Sequence, residues 1–554
     1  MPKWIHIIAL ALLAFISTCC HHKEGTQDVH PVLPSLHITI TPEQLDSILT
    51  DRDNKIPAYA LLTDANGDTL YNGSLTHIKT RGNDTWNEKK KPFAIKFPKK
   101  QSLFGLERSK SFVLLANACD ESHIRNAIAL DLARAMGIPA TRYAYLTLYI
   151  NDNYWGLYQM TNKVDIGKDA LDITDLEKLN ELANPKPLDE YEWYGKGRKR
   201  QIIQRKGVLL DNDPNDISGG YLIDNSGPLV AYDKSVSGFV SVAGDHIQIR
   251  SPKHASPREV EYIAELYNEM ECAVHASEAI HPETGRHYSE YLDVESFARY
   301  YLLNEVLLNR DGGWASFLMY KETDTMDTKF YAGPAWDYDR ILNNLRFQRN
   351  FFVSPNELYI NEPKGLKGLV HSGGLMHFLC QHEDFQQAVI SCYLNEVGPI
   401  CHQYLEDHSF DSLASLLSYE ANQDNVKYGT RYSADYESAV ERATDFLRKR
   451  VLFFDWYYSS TEDQRVAVVF KKDNGMYRKI YYPLGETICA PQIEIQYNRT
   501  PIFELFYQGT DSLVPDGTVF HSAQTLELRQ REPTKREVQI RRIKKKLRKI
   551  GVDF

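Results

Sequence analysis

Hydrophobic residues recur with two different periods along this chain, and the change of period marks out its elements. Between residues 36 and 150 the spacing is mostly two, as in strands whose side chains alternate between faces. One stretch breaks that rhythm. Ile124, Ile128, Leu132 and Met136 recur four apart, Asp120 or Ser122 offers a start, and Gly137 with Pro139 offers a stop, so the pattern predicts a helix. Residues 142–150 alternate strictly, and a second strand, 154–160, returns after the turn-forming trio Asn151-Asp152-Asn153. Periodicity fades over 172–218, a polar segment with Asn184-Pro185, Asp213-Pro214 and a basic knot at 196–200, which predicts a surface insertion. Helical spacing fills 257–275, 291–309 and much of 376–455. From 463 the chain reads as short strands, at 466–470, 480–483, 492–497, 502–507 and 526–529, which predicts a small β domain over 463–533. The whole predicts an α+β fold with a small C-terminal all-β appendage.

The N-terminus follows a different logic. Lys3 precedes the apolar run 7–16, which ends at Ser17-Thr18-Cys19-Cys20. About ten apolar residues are too few to span a bilayer, so residues 1–20 read as a secretory signal. The Cys pair resembles a bacterial lipobox, which predicts cleavage before a lipidated Cys and a tether over 21–35. Thr18 or Cys19 departs from the small residue usual there, and the alternative is a simply cleaved signal. The protein is therefore expected to be exported, either to the cell envelope as a lipid-anchored lipoprotein or as a secreted soluble protein. A membrane is expected as a partner only through that anchor.

Composition narrows the ligands. The chain of 554 residues carries 64 basic and 74 acidic residues, a net charge of −10. Nucleic acid is not expected as a partner, since a phosphate backbone is bound by a net basic face. Nine Lys and Arg crowd residues 535–549, which predicts a basic tail over 534–554. The six cysteines beyond the leader show neither CxxC spacing nor a nearby His rhythm, so zinc is not expected.

The chemistry concentrates between 291 and 340. An apolar helix face (Phe297, Tyr300, Tyr301, Leu303, Leu307) ends at Asn309-Arg310-Asp311-Gly312-Gly313, where the Gly pair is expected to supply a left-handed stop. Two strand-like runs follow, 314–321 and 329–334, joined by a turn-like stretch and leading to Trp336-Asp337-Tyr338-Asp339. With the turn centred near Asp324–Thr325, facing residue numbers sum to about 649, so Asp311 falls opposite Tyr338 and Asp337 opposite Gly312. Two carboxylates distant in sequence thus meet at one hairpin mouth, beside Trp314 and Trp336. Phosphoryl transfer uses such a pair: one carboxylate orients an attacking hydroxyl and another holds Mg²⁺, which needs only one or two protein oxygens. Either segment alone would read as an ordinary turn aspartate.

A second constellation lies upstream. Residues 79–86, Lys-Thr-Arg-Gly-Asn-Asp-Thr-Trp, end a strand and enter a loop. In the strand that follows, Phe93, Ile95 and Phe97 share one face and Lys96 points to the other. A strand Lys beside a Gly-containing loop suits phosphate; a solvated Lys is the plainer reading.

Ordered motifs then identify a resemblance. They are Arg81-Gly82-Asn83-Asp84-Thr85-Trp86, Lys90-Lys91-Pro92-Phe93-Ala94-Ile95-Lys96-Phe97, Leu103-Phe104-Gly105, Phe112-Val113-Leu114-Leu115-Ala116-Asn117, Ile124-Arg125-Asn126, Tyr154-Trp155-Gly156-Leu157-Tyr158, Gly219-Gly220-Tyr221-Leu222, Asn304-Glu305, Asn309-Arg310-Asp311-Gly312 and the run from Gly333 to Asp339. Over about residues 36–455 the chain resembles the CotH-type kinases, named for the spore coat protein CotH. The resemblance implies an atypical protein-kinase-like fold that phosphorylates Ser or Thr of secreted proteins with ATP and Mg²⁺. It implies that Asp311 is the catalytic Asp, that Asp337 binds metal with Asp339 as a second ligand or support, and that Lys96 contacts phosphate. Arg81, Gly82 and Asn83 would form the loop over the nucleotide. The family often reads Glu where this chain has Asn162. If that Glu orients Lys96, then Asp165, Asp224 or Glu305 must supply the charge here.

Two functions follow. The first is an exported protein kinase whose protein substrates are basic and Ser-rich, drawn to an acidic enzyme. The second is a surface-binding lipoprotein, structural or adhesive, that keeps the fold with weak chemistry or none.

Overall fold

Seven strands in the first third of the chain close a sheet on itself. The computed structural model describes residues 31–554 apart from 169–170, 197–200, 226–228, 310, 314, 345–352, 361–373, 430–434, 473–476, 489–501, 516, 532–533, 536, 538 and 540–554. The leader, most of the tether, the expected strand at 492–497 and most of the basic tail therefore lie outside the described residues. Strands β1 (Ser35–Thr39), β2 (Ile56–Thr63), β3 (Thr69–Thr80), β4 (Phe93–Gln101), β5 (Ser109–Leu115), β6 (Tyr143–Ile150) and β7 (Asn153–Asn162) form a closed barrel ordered β1-β2-β3-β4-β5-β7-β6. Helix α1 (Pro42–Thr50) follows β1, and α2 (Arg125–Ala135) precedes β6. Alternate residues fill the barrel, among them Ile38, Ile78, Phe93, Ile95, Phe97, Phe112 and Leu148. The β6–β7 turn places Asn151 and Asp152 at φ 51° and 60°, which short polar side chains tolerate. Closure itself comes from β1 pairing parallel to β6, Ser35 against Thr147, a long-range contact that local periodicity does not reveal.

A second sheet follows the barrel in the chain. Helix α3 (Leu176–Ala183) leads to β8 (Trp193–Tyr194), β9 (Arg205–Val208), β10 (Tyr221–Asn225), β11 (Ser237–Val240) and β12 (His246–Ser251). After α4 (Pro257–His275) and α5 (Val294–Val306), β13 (Phe317–Lys321) and β14 (Phe330–Ala332) complete the order β14-β13-β10-β12-β11-β9-β8. One face of this sheet (Ile223, Phe239, Ile247, Ile249, Phe317, Met319) shares a core with Val260, Ile263 and Tyr267 of α4 and Phe297 of α5. The polar stretch 172–218 is more integrated than an insertion: it supplies the end strands β8 and β9, and Leu176 enters the main core. Its buried runs are too short for a period to register.

Helices α6 (Ser409–Tyr428) and α7 (Tyr436–Ser459) belong to the helical part of the chain. Beyond it, β15 (Arg465–Lys472), β16 (Tyr477–Pro483), β17 (Thr487–Ile488), β18 (Ile502–Tyr507), β19 (Thr518–Val519) and β20 (Gln524–Arg531) follow. Four of them form the sheet β16-β15-β20-β18 with its own core of Val468, Phe470, Leu505, Leu526 and Leu528. The class is α+β.

A buried ion pair ties the barrel to α6. Lys90 Nζ lies 2.7 Å from Asp424 Oδ1, with side chains 2% and 4% exposed. The same carboxylate accepts the Leu157 amide at 2.9 Å, and Lys90 donates to the Leu157 carbonyl. Gly156 leaves the necessary space, since a Cβ there would sit 2.1 Å from Asp424 Oδ1. Nearby His123 is held neutral, its pKa lowered to about 4 by burial and then by Lys90. Removing one partner strands a buried charge, so Asp424→Ala is expected to cost about 3–5 kcal/mol. Lys90→Met with Asp424→Leu should cost much less than either single change, measured by chemical denaturation. Additive losses would overturn this reading.

Candidate functional site

Asp311 is placed by the way α5 ends. The helix closes with Leu308 N–H donating to the Glu305 carbonyl (3.0 Å) and Asn309 N–H to the Asn304 carbonyl (2.8 Å), the paired bonds of a Schellman stop. The left-handed residue is Leu308, at φ 49°, and not the Gly pair expected to stop the helix. Burial of the Leu308 side chain, 2% exposed, offsets that strain. Asn309 then builds the loop: its amide donates to Asn304 Oδ1 (2.8 Å) and its Oδ1 accepts the Asp311 N–H (3.1 Å). Arg310 and Trp314 lie outside the described residues.

The hairpin exists, with its register displaced by two. Met319 faces Ala332, Tyr320 faces Tyr331 and Lys321 faces Phe330, so facing numbers sum to 651 instead of 649. The cause is a wide turn, in which Met326 and Asp327 amides both donate to the Thr323 carbonyl. The even shift preserves which residues share a face. Extended to the hairpin mouth, it sets Asp311 opposite Arg340 instead of Tyr338, and Arg340 Nη1 does lie 3.1 Å from Asp311 Oδ1.

The 337–344 segment hangs from the N-terminal end of α2. Arg125 donates through Nε to the Ile341 carbonyl (3.1 Å) and through Nη2 to the Leu342 carbonyl (3.3 Å), and is paired with buried Asp120. Asn126 Oδ1 accepts the Tyr338 amide at 2.9 Å. Asn344 donates to the Asp339 and Cys119 carbonyls, both at 2.8 Å. Asp337 is exposed and left-handed (φ 69°), held by a long bond from Ser316 Oγ at 3.4 Å.

Three aspartates therefore crowd one place. Asp311, 15% exposed, has its pKa raised to about 6, first by desolvation and further by Asp337 and Asp84, with Arg340 opposing. Asp339 is pushed well above the usual carboxylate range by burial, then by Asp337 and Asp311. Its carboxyl makes no hydrogen bond among the described residues. This set suits a divalent cation that takes one or two protein oxygens and completes its shell with phosphate and water. Among the described residues no group of three or more His, Cys, Asp or Glu is arranged to hold a metal alone.

Of the other expected residues, the structure brings some to this place and not others. Arg81 lies with its guanidinium 5.6 Å from the Trp336 ring centre and feels the Asp337 charge. Gly82, at φ 99°, could not carry a Cβ, which would meet Thr85 Oγ1 at 2.4 Å. Arg52 donates to the Gly82 carbonyl and to Asn83 Oδ1, the latter at 3.3 Å. Lys96 is on the outer barrel face, beside His77 across the ladder. No described contact joins it to Asp311, Asp337 or Asp339. The Asn162 question resolves by register. Ile95 pairs with Phe112 and Phe112 with Asn162, so Asn162 shares the Ile95 face and Lys96 has the other. Asn162 is spent on the Glu107 backbone, accepting its N–H (3.1 Å) and donating to its carbonyl (2.8 Å). Glu305 accepts the Tyr359 and Ile360 amides and Asp224 pairs with Arg250, so neither supplies the charge at Lys96. Asp165 accepts its neighbour's amide.

Sequence reasoning gave no site role to Arg340 or Lys79, and weighed Asp224 only as a charge for Lys96. Arg340 bridges Asp311 and Asp84. Lys79, half-buried on β3 two residues before Arg81, keeps a depressed pKa from burial and then Lys55. Asp224 is 2% exposed, with Oδ2 bonded to Arg250 Nε at 2.9 Å and Oδ1 buried without a hydrogen bond. An Asp in the otherwise apolar strand Tyr221-Leu222-Ile223-Asp224 was the available signal.

A search of curated proteins finds no match to this chain. A family model, that of the CotH kinase protein, matches residues 78–453. The matched span covers most of the chain, including the helix-end loop of Asp311, the Trp336–Asp339 segment and barrel strands β4 to β7, so the chain belongs to the CotH kinase protein family.

Proposed function

We propose that this protein is an exported, ATP-dependent kinase of the atypical protein-kinase-like type that phosphorylates Ser or Thr of secreted or surface proteins. The observation that carries the reading is the convergence of Asp311, Asp337 and Asp339 from two loops, where burial first and the Asp337 charge after it, against Arg340, leave Asp311 with a pKa of about 6. A carboxylate so tuned is basic enough to take a hydroxyl proton near neutral pH and still ionised there. Asp311 orients the substrate hydroxyl and receives its proton as the oxygen attacks. Asp337 and Asp339 are the residues that would hold Mg²⁺, which when bound neutralises phosphate charge. Lys96, with Lys79 on the neighbouring strand, offers cations to phosphates from the barrel side, while Arg81, Gly82 and Asn83 form the adjoining loop. An acidic chain draws basic, Ser-rich protein substrates. Export rests on the leader, and lipidation at the Cys pair would make the membrane an anchor only. Nucleic acid has no part in this reading.

A second reading, a surface-binding CotH-type lipoprotein without chemistry, is favoured by one observation. Asp311 is occupied by Arg340, and Lys96 has no described contact with the carboxylates.

Incubation of the purified protein with Mg²⁺ and γ-labelled ATP is expected to label basic Ser-rich peptides. Asp311→Ala should lower the rate by about 10²–10⁴-fold, and Asp337→Ala should abolish metal-dependent nucleotide stabilisation. Absence of both label and nucleotide-dependent thermal shift in the wild type sinks the kinase reading.

The tuning of Asp311 also has a stability signature. A carboxyl whose folded pKa (about 6) exceeds its unfolded value binds its proton more tightly when folded. Stability then falls as pH rises from about 4 to 6, and the penalty persists above that window. Asp311→Asn should be more stable than wild type at pH 7 by about 1–3 kcal/mol, a gain that shrinks towards pH 4. In parallel, kcat/KM of the wild type should decline below about pH 6. A pH-independent stability difference would refute the assignment.

A further inference from the structure

The hydroxyl-orienting carboxylate of the proposed kinase is already engaged by an arginine. Arg340 directly follows the metal-binding pair in sequence and is 26% exposed. One arm, Nη1, lies 3.1 Å from Asp311 Oδ1, and the other, Nη2, lies 2.8 Å from Asp84 Oδ2. The two partners come from different bodies of the protein. Asp311 follows α5, whereas Asp84 opens the short helical turn after β3, in the loop that begins at Arg81. Arg340 therefore reaches across the space between the barrel loop and the aspartate cluster. The Asp84 side chain is 79% exposed, so that arm is worth little and is readily exchanged.

A guanidinium so placed has a conflict to resolve. While it holds Asp311, that carboxylate's lone pairs are partly used by a cation, and a substrate hydroxyl must compete for them. A phosphate held beside Asp337 and Asp339 presents a fork of oxygens whose charge exceeds that of an exposed carboxylate, and planar N–H pairs match it in two-point contact. Lys96, the cation expected from sequence, is on the barrel's outer face with no described contact to the cluster, whereas Arg340 is within it.

We propose that Arg340 is a further catalytic residue, one that leaves Asp311 and Asp84 to grip the phosphoryl group being transferred. This rests on the kinase reading. In the transfer, the substrate oxygen bonds to the γ-phosphorus and the bond from that phosphorus to the bridging oxygen of ADP breaks. The hydroxyl proton passes to Asp311, and ADP departs with the bonding pair. Arg340 spreads its positive charge over the equatorial oxygens during the exchange, and its departure from Asp311 frees that carboxylate for the proton. The same residue thus guards the base before the nucleotide arrives and stabilises charge afterwards.

The test compares thermal shifts with Mg-ATP and Mg-ADP, beside kcat on a basic Ser-rich peptide, in the full protein. Wild type should be stabilised more by ATP than by ADP. Arg340→Gln should keep the ADP shift, lose the additional ATP shift, and lower kcat by about 10²–10³-fold with KM for ATP changed less than about threefold. Arg340→Lys keeps charge without the fork and should restore only a minor part. Asp84→Asn breaks the cross-space arm alone; loss of the ATP increment there too would show a structural clasp and overturn the proposal. So would an Arg340→Gln protein that retains the increment and kcat within about twofold. If Arg340→Gln fails to fold, Arg340→Lys and Asp84→Asn decide by the same increments. A wild type with no shift by either nucleotide overturns the kinase reading and this inference together, whereas an additional ATP shift that survives in Arg340→Gln overturns this inference alone.

Discussion

The site depends on one buried polar lattice at the start of α2. Arg125 is paired with Asp120, neither accessible to water, and spends its remaining donors on the carbonyls of Ile341 and Leu342. Asn126 takes the Tyr338 amide, and Asn344 returns to the Asp339 and Cys119 carbonyls. The bonds to Ile341, Leu342, Tyr338 and Cys119 connect positions more than 200 residues apart. They fix the backbone of the aspartate segment without using any of its carboxylates. A buried Arg–Asp pair gains its net value only when every remaining donor is satisfied, and here the satisfied donors are what hold the loop. Loss of Arg125 would therefore displace Asp339 before it unfolded α2.

That division of labour explains which parts were legible in the sequence. The 3.6 and 2.0 periods located α2, α4 and most strands, because one apolar face per element leaves a local mark. The hairpin's existence was legible too, and its even parity survived a shift of two because turn width changes register without changing faces. Three things were not legible. Barrel closure requires the β1–β6 pairing. The stop of α5 uses Leu308 in a conformation that residue type argues against, and only burial from distant chain makes it tenable. The occupant of Asp311 is Arg340, whose role depends on a loop that strand arithmetic misplaced by two residues. The weight given to Asn162, where the family often has a Glu, failed for a simpler reason: it and Lys96 lie on opposite faces of the sheet, with β5 between their strands.

Strain and charge accumulate at the same place. Leu308, Ser316, Asp337, Leu342 and Asn343 all have φ between 49° and 69°. A left-handed conformation costs about 1–2 kcal/mol at Leu308, Ser316 and Leu342 and less at Asp337 and Asn343, and none of the five lies in a regular element. They bracket the aspartate cluster, where burial and then like charges raise the pKa of Asp311 and Asp339. A sequence optimised for stability alone would relax both. Their coexistence, with the bonds from α2 holding the backbone in position, is the pattern expected where geometry is maintained against its own preference.

The sign of the charges on the two sides carries the argument further. The barrel's outer face sets Lys55, Lys79 and Lys96 around His77, whose pKa is lowered by burial and then by these lysines. The loops after α5 and β14 set Asp311, Asp337 and Asp339 against one another. Each set is internally repulsive, yet among the described residues no lysine of the first pairs with an aspartate of the second. Two repulsive sets of opposite sign, held apart by separate scaffolds, are not relieved by a simple anion or a simple cation, which would suit one side and offend the other. On the proposed kinase reading, a ligand that is itself dipolar would relieve both, with phosphate oxygens toward the lysines and a cation toward the aspartates. Among the described residues, Arg81 beside Trp336 and Arg340 between Asp84 and Asp311 bring positive charge to the aspartates, and on that reading they offset the cluster's charge until such a ligand binds.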